Sequence, residues 1–233
     1  MAHSSWEKTI RKAHEALSEE YRQFLQHDNR YFPSKELYLN AFSSLPKENL
    51  KYILFGQDPY PRVQSAIGYA FIDGGVENIF ARNGLSKEVN RATSLRNFIK
   101  MALVARGDLR QSDTSQEAIA SIDKQPLIQT ILQLKDNFEK NGVLLLNTAL
   151  IFTDKRESNS HIRSWRPFLE TLLQELIDLR PTLILFGAHA QALKKLQCIE
   201  SFPTASMEHP YNHTFISNQT VLDLFAPMDL LAK

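Results

Sequence analysis

The chain alternates between apolar runs too short for a helix and amphipathic stretches too long for a strand. Four runs stand out: Tyr52-Ile53-Leu54-Phe55, Val143-Leu144-Leu145-Leu146, Thr182 to Phe186, and Thr204 to Met207, closed respectively by Gly56, Asn147, Gly187 and Glu208. Short apolar runs ended by turn or polar residues read as buried strands, because a helix needs a longer periodic segment and tolerates Pro poorly inside. Trp6, Ile10, Ala13, Leu17, Tyr21, Phe24 and Leu25 recur at spacings of three and four, which predicts one amphipathic helix with Ser4 and Glu7 spaced as a capping box. Phe32-Pro33-Ser34 ends it, and Lys35 to Phe42 reads as a second, short helix. Phe168, Leu169, Leu172, Leu173, Leu176 and Ile177 predict a helix over Trp165 to Arg180 with Ser164 as its N-cap. Gly68 to Ile72 reads as a short strand or an extended turn.

Strand, helix and strand in this order imply parallel pairing through right-handed crossovers, in a sheet sandwiched by helices. The carboxyl ends of such strands splay into a crevice where ligands bind. Asp58, Asn147, His189 and His209 all fall there. Each has a plainer reading: Asp58 as a turn residue or helix cap, Asn147 as a satisfied turn amide, His189 as the cap of a helix near Ala190. Recurrence of hydrogen-bonding and proton-carrying groups on several strands favours chemistry, and spacing alone leaves several hydrolase classes open.

Composition narrows the picture. A chain of 233 residues with 43% apolar and 23% charged residues is expected to form one globular domain over 1–233 with a substantial core, with two small domains as the alternative. It has no membrane-length apolar segment and no signal-peptide core at its start, so a cytoplasmic location is expected. A single cysteine, Cys198, excludes an internal disulfide and any multi-cysteine metal site. The net charge of +1 announces no polyanionic partner, yet residues 82–110 hold seven Lys or Arg against Glu88 and Asp108. That stretch is either a solvated helix face or a phosphate-contacting surface. Residues 106–125, polar and short of large apolar side chains, read as a surface excursion.

The wording of the motifs says more than their spacing. Gly56-Gln57-Asp58-Pro59-Tyr60, Gly68-Tyr69-Ala70-Phe71, Leu144-Leu145-Leu146-Asn147-Thr148, Gly187-Ala188-His189-Ala190-Gln191 and His209-Pro210 occur in that order. Over about residues 20–225 the chain resembles the uracil-DNA glycosylase family, in the branch that excises uracil from single- and double-stranded DNA. The resemblance implies a three-layer α/β/α sandwich around a four-stranded, mainly parallel central sheet, no metal and no cofactor. The partner would be uracil-containing DNA, single- or double-stranded, with no membrane, a monomeric enzyme, and sensitivity to a proteinaceous inhibitor as a further expectation.

Roles follow by position. Asp58 matches the acid that positions the attacking water, and His209 the histidine that hydrogen-bonds O2 of the departing base. Asn147 matches the amide that reads the uracil edge, Phe71 the ring that stacks on the base, and Tyr60 the side chain that excludes a thymine methyl. Gln57 adds to the base pocket beside Asp58. Ser94 matches a phosphate-gripping serine. Pro61 stands where the family usually has His, a variant seen in some viral members, and Ala188 beside His189 replaces a phosphate-contacting serine. The last motif reads His209-Pro210-Tyr211-Asn212-His213-Thr214 in place of HPSPLS. The leucine that fills the hole left by a flipped base aligns with His213, with Tyr211 or Phe215 as the other wedges and Thr214 next to them on the DNA-facing loop. Residues 75–125 form a longer segment than usual and read as an enlarged surface insertion. Two competing readings remain: a glycosylase-like DNA-binding protein with weak or no activity, and a metal hydrolase using His189, His209 and His213. Pro210 denies the second a clean helical His-x-x-x-His face.

Overall fold

The computed structural model describes residues 2–233, with the side chain of His189 outside the described residues. In chain order the elements are α1 (Glu7–Glu15), α2 (Glu19–His27), β1 (Tyr52–Gly56), β2 (Phe80–Ala81), β3 (Gly84–Leu85), α3 (Lys87–Arg91), α4 (Thr93–Arg106) and α5 (Gln116–Ser121). They continue as α6 (Ile131–Lys140), β4 (Val143–Asn147), α7 (Ser158–Gln174), β5 (Thr182–Phe186), α8 (Gly187–Gln191), β6 (Thr204–Met207) and α9 (Gln219–Phe225). The chain gathers into two compact units, one running to Asp73 and resuming over Gly142–Ser206, the other made of Gly74–Asn141 with Met207–Lys233.

The four apolar runs are the four strands of a parallel sheet in the order β4-β1-β5-β6. β1 is paired on both sides, from Tyr52↔Val143 to Gly56↔Asn147 and from Tyr52↔Thr182 to Phe55↔Leu185. Helices on both faces bury such a parallel sheet, which is why β1, β4 and β5 are near-continuous apolar runs rather than alternating ones, whereas the edge strand β6 buries only Met207. Ile53, Phe55, Leu144, Leu146, Leu183 and Leu185 share one core with Ile10 and Ala13 of α1 and with Trp165, Phe168 and Leu172 of α7. Pairing without offset puts the carboxyl ends of β1 and β4 side by side, so whatever follows Phe55 lies next to Asn147.

The helices depart from their expected bounds. The first stripe is broken into α1 and α2 at Ala16 to Ser18, because the Ser18 hydroxyl accepts from the Tyr21 N–H at 3.2 Å and starts a new helix. The Ser4–Glu7 box does not form; the His3 ring accepts from the Ser5 N–H instead. In 35–42 only Asn40–Phe42 makes a 3-10 turn. α7 begins at Ser158, which leaves Ser164 inside it, and ends at Gln174; its first turn is polar and carries no stripe for periodicity to detect. Gly68 to Ile72 is a turn, with Gly68 at φ +87° and Phe71 at φ +68°.

The second unit has its own core. Residues 75–125 supply Ile79, Leu95, Phe98, Met101 and Leu103 to it, and the polar tract 106–125 contains α5 with Ile119 fully buried and Leu109 buried. Phe98 packs on Phe138, Phe215 and Phe225 at ring-centroid distances of 5.7, 6.2 and 5.1 Å.

Candidate active site

In the first unit the site grows from the ends of β1 and β4. Gly56 pairs with Asn147, and a Cβ built on Gly56 would fall 2.2 Å from Asn147 Oδ1 and 3.0 Å from Ala70 Cβ. Only glycine leaves room for that amide, so the requirement is one of close approach rather than of backbone angle. Asn147 is 5% exposed. Beyond the strands the two segments stay laced together. The Thr148 N–H donates to the Gly56 carbonyl at 3.0 Å and the Ala149 N–H to the Gln57 carbonyl at 3.0 Å, while the Thr148 hydroxyl reaches that same Gln57 carbonyl at 2.6 Å.

Asp58 leaves this lacing half-buried, and its carboxylate Oδ2 accepts from the hydroxyl of Ser158, the first residue of α7. Ser158 is itself buried, and the Gln57 amide nitrogen stands 3.5 Å from its oxygen. A carboxylate held by one hydroxyl keeps one orientation and leaves its other oxygen for a water or a developing cation. One turn further along α7, buried His161 is hydrogen-bonded at both nitrogens, to the Tyr21 hydroxyl at 2.7 Å and the Thr153 hydroxyl at 2.9 Å. Burial lowers its pKa, opposed by Glu157, Asp154 and Asp58. Bonded at both nitrogens, the ring braces the start of α7 against α2 and the loop at Thr153.

Tyr60 and Phe71 form a second pair. The Tyr60 hydroxyl donates to the Phe71 carbonyl at 3.1 Å, and burial, then the Asp73 carboxylate, raises its pKa, so it stays a donor. Phe71 occupies the left-handed region, at a cost of about 1–3 kcal/mol for a residue that is not glycine. The ring is half-buried and meets Phe186 edge-on, with centroids 6.5 Å apart. Ala70 anchors the preceding peptide by donating to the Leu145 carbonyl at 3.1 Å. Phe71 is thus fixed from both sides, by the Ala70 peptide before it and by the Tyr60 hydroxyl on its own carbonyl. Pro61 is exposed just past Tyr60 and Ala188 is exposed on α8; the side chain of His189 lies outside the described residues.

In the second unit, His209 and Tyr211 lie in the loop after β6, and His213 and Thr214 begin the 3-10 helix His213–Ser217 that follows it; all four are exposed. The Tyr211 N–H donates to His209 Nδ1 at 3.1 Å, so the lone pair of a neutral ring is used there and its proton sits on Nε2. Glu208 accepts from the Thr214 hydroxyl, and from the Asn218 amide at 3.0 Å. Phe215 is fully buried against Phe98, which removes it as a wedge, whereas Tyr211 is 67% exposed. Ser94 is half-buried near the start of α4. Of the seven basic residues in 82–110, Arg106 pairs with Asp108 and Asp229. Burial, and then neighbouring Arg96, lowers the pKa of Lys100.

Residues unforeseen from sequence are Ser158, His161 and Asn97. Ser158 and His161 lie in the polar first turn of α7, and nothing in their spacing points to Asp58. Among the described residues no group of three or more His, Cys, Asp or Glu could hold a metal ion, and no helix is long and apolar enough to cross a membrane.

Comparison with known proteins follows the same lines. The family model described as the uracil DNA glycosylase superfamily matches residues 42–233. A uracil-DNA glycosylase of Pseudomonas aeruginosa is 26% identical over 202 residues, covering 83% of this chain and 73% of that one. One from Francisella philomiragia is 29% identical over 182 residues, covering 77% and 69%. Among solved structures, the UNG of Nitratifractor salsuginis is 55% identical with a TM-score of 0.98, covering all of this chain and 93% of that one. Mimivirus uracil-DNA glycosylase, 20% identical with a TM-score of 0.59 over 90% of this chain and 69% of its own, shares the fold. A mimivirus UNG variant, Y322F, was solved in complex with UGI.

Proposed function

We propose, from the premise that this chain belongs to the uracil-DNA glycosylase superfamily and is a DNA N-glycosylase, that Asp58 and His209 carry its chemistry and that Asn147, Gln57, Tyr60 and Phe71 select the base. A base inside a duplex is out of reach, so the nucleotide must be extruded into a pocket before it is cut. The observation that carries the reading is the space cleared at Gly56 for the buried Asn147 amide. Its NH2 can face uracil O4 and its carbonyl can face N3–H, a match that cytosine does not offer; a mismatched amide in a closed pocket is costly. Phe71 stacks on the base, and the Tyr60 ring fills the place of a thymine methyl.

The reaction then needs little more than charge. As the bond between C1′ and the base nitrogen breaks, its electron pair goes to the base and C1′ becomes cationic. Asp58, oriented by Ser158, faces that cation as an anion and holds the water whose oxygen forms the new C1′ bond. The O–H bond of that water breaks, and its proton passes to the Asp58 carboxylate and on to solvent, balancing the anionic base that leaves. His209 donates from Nε2 to O2 of the leaving base, consistent with a ring whose Nδ1 is already occupied. Pro61, Ser94, Ala188, His189, Tyr211, His213 and Thr214 belong to the DNA-contacting surface, and the basic helix face of 82–110 gives that surface its sign. Thr214 would trade its Glu208 bond for a phosphate. The enzyme acts as a monomer of one functional domain, in the cytoplasm, on single- or double-stranded DNA. UGI-type inhibition extends to this chain only as far as its altered 211–215 loop allows.

The test is release of uracil from an oligonucleotide carrying either one uracil or one cytosine at the same site. The wild type should release uracil alone, and Asn147→Ala should lose about a thousandfold in rate. An Asn147→Ala enzyme as fast as the wild type would remove Asn147 from base reading.

A further inference from the structure

We infer that Asn97 is a positioning residue for His209, acting through the single peptide that joins Pro210 to Tyr211. The inference rests on the reading of His209 as the donor to the leaving base. Asn97 is 2% exposed on the buried side of α4, between Leu95 and the apolar group Phe98, Ile99 and Met101. An amide there is costly unless its hydrogens find acceptors. Its Nδ2 donates to the Pro210 carbonyl at 2.8 Å and lies 3.2 and 3.3 Å from the carbonyls of Tyr211 and Asn212. Three consecutive carbonyls turned toward one nitrogen curl the chain, and the curl leaves Tyr211 outward.

The Pro210 contact is the one that matters for chemistry. The Pro210 carbonyl and the Tyr211 N–H belong to one planar trans unit, so they point in opposite directions. Fixing the carbonyl on Asn97 therefore aims the N–H, and that N–H meets His209 Nδ1 at 3.1 Å. The chain of contacts runs from a buried helix side chain, through one peptide, to the tautomer of an exposed ring. Glu208 braces the far side of the loop through Thr214 and Asn218 and makes no contact with that peptide among the bonds described. Asn97 touches neither base nor sugar in this scheme; it holds the proton of His209 on the nitrogen that needs it.

The test uses the full chain with Asn97→Leu, which keeps the size and removes the donor, alone and combined with His209→Ala. Two quantities are read: the single-turnover rate of uracil release from a single-stranded oligonucleotide at saturating enzyme, and the nitrogen NMR signals of the His209 ring. Asn97→Leu should slow release about tenfold with little change in the enzyme concentration needed for saturation. His209→Ala should slow it about a hundredfold, and the double variant should be no slower than His209→Ala. The His209 ring should be the Nε2–H tautomer in the wild type and a mixture in Asn97→Leu. Losses that multiply in the double variant, or a His209 tautomer indifferent to Asn97→Leu, would overturn the inference. If His209→Ala costs nothing, the role given to His209 fails separately, and the ring signals still decide whether Asn97 sets them. Should Asn97→Leu melt before assay, Asn97→Ser keeps a shorter donor and should give the same two changes at smaller size; no change in either would overturn the inference.

Discussion

Two buried asparagines divide the work between the two units. Asn147 sits at the end of β4, 5% exposed, in a gap that exists because Gly56 has no side chain. Asn97 sits inside α4, 2% exposed, with its amide nitrogen turned on three backbone carbonyls. The residue type and burial are the same, and the difference is what surrounds the amide. A side chain at a strand end, with space cleared beside it, can be offered to a ligand; one surrounded by main-chain acceptors is committed to holding a loop. The pair teaches that a buried amide is neither a site nor a scaffold until its neighbours are known.

The comparison can be broken most sharply at Gly56. Gly56→Ala puts a methyl group 2.2 Å from Asn147 Oδ1, so the amide must move. Uracil release should fall about a hundredfold, while Gly56→Ala combined with Asn147→Ala should be no slower than Asn147→Ala alone. Single-turnover rates for the three variants check this, and independent losses would mean that Gly56 acts elsewhere.

Tyr211→Ala gives a smaller effect on the loop. An outward aromatic that fills the hole left by a flipped base matters only where there is a stack to fill, so excision from duplex DNA should fall about tenfold relative to single strands. Equal losses on both substrates would take the wedge away from Tyr211 and leave His213.

The smallest effect is on stability. Burial lowers the pKa of His161, and burial with Arg22 lowers that of His14. The folded state therefore prefers these rings neutral, so their contribution is complete above the unfolded histidine pKa of about 6.5 and is lost as pH falls below it toward the folded value. The midpoint of thermal unfolding should drop as pH falls from about 7.5 to about 5.5, and His161→Gln should flatten part of that slope.

β1, β4 and β5 were legible because a parallel strand buried on both faces has to be a continuous apolar run. The edge strand β6, Thr204–Met207 with only Met207 buried, lacks that signature, and all four runs are strands within a residue of their expected ends. Helix starts were less so. A periodic stripe marks where a helix packs rather than where it begins, which hid the polar first turn of α7 and the restart at Ser18. At the site, residues carried by short contiguous motifs, such as Asp58, Tyr60 and Asn147, could be singled out from the chain alone. Ser158 and Asn97 could not, because each meets its partners across 100 or more positions of sequence. Phe215, one of three wedge candidates left open by the sequence, is buried for a related reason: one position of turn separates an exposed loop residue from a core residue, and sequence does not fix that turn.

The most direct test is alkaline-cleavage analysis of an oligonucleotide carrying one uracil, single-stranded or paired with guanine or adenine, treated with wild type or Asp58→Asn in the presence of EDTA. Scission by the wild type at uracil only, slowed about a thousandfold by Asp58→Asn, is the predicted result. Equal rates for the two proteins, or DNA that is bound and never cut by the wild type, would contradict a glycosylase whose charge at the breaking bond comes from Asp58.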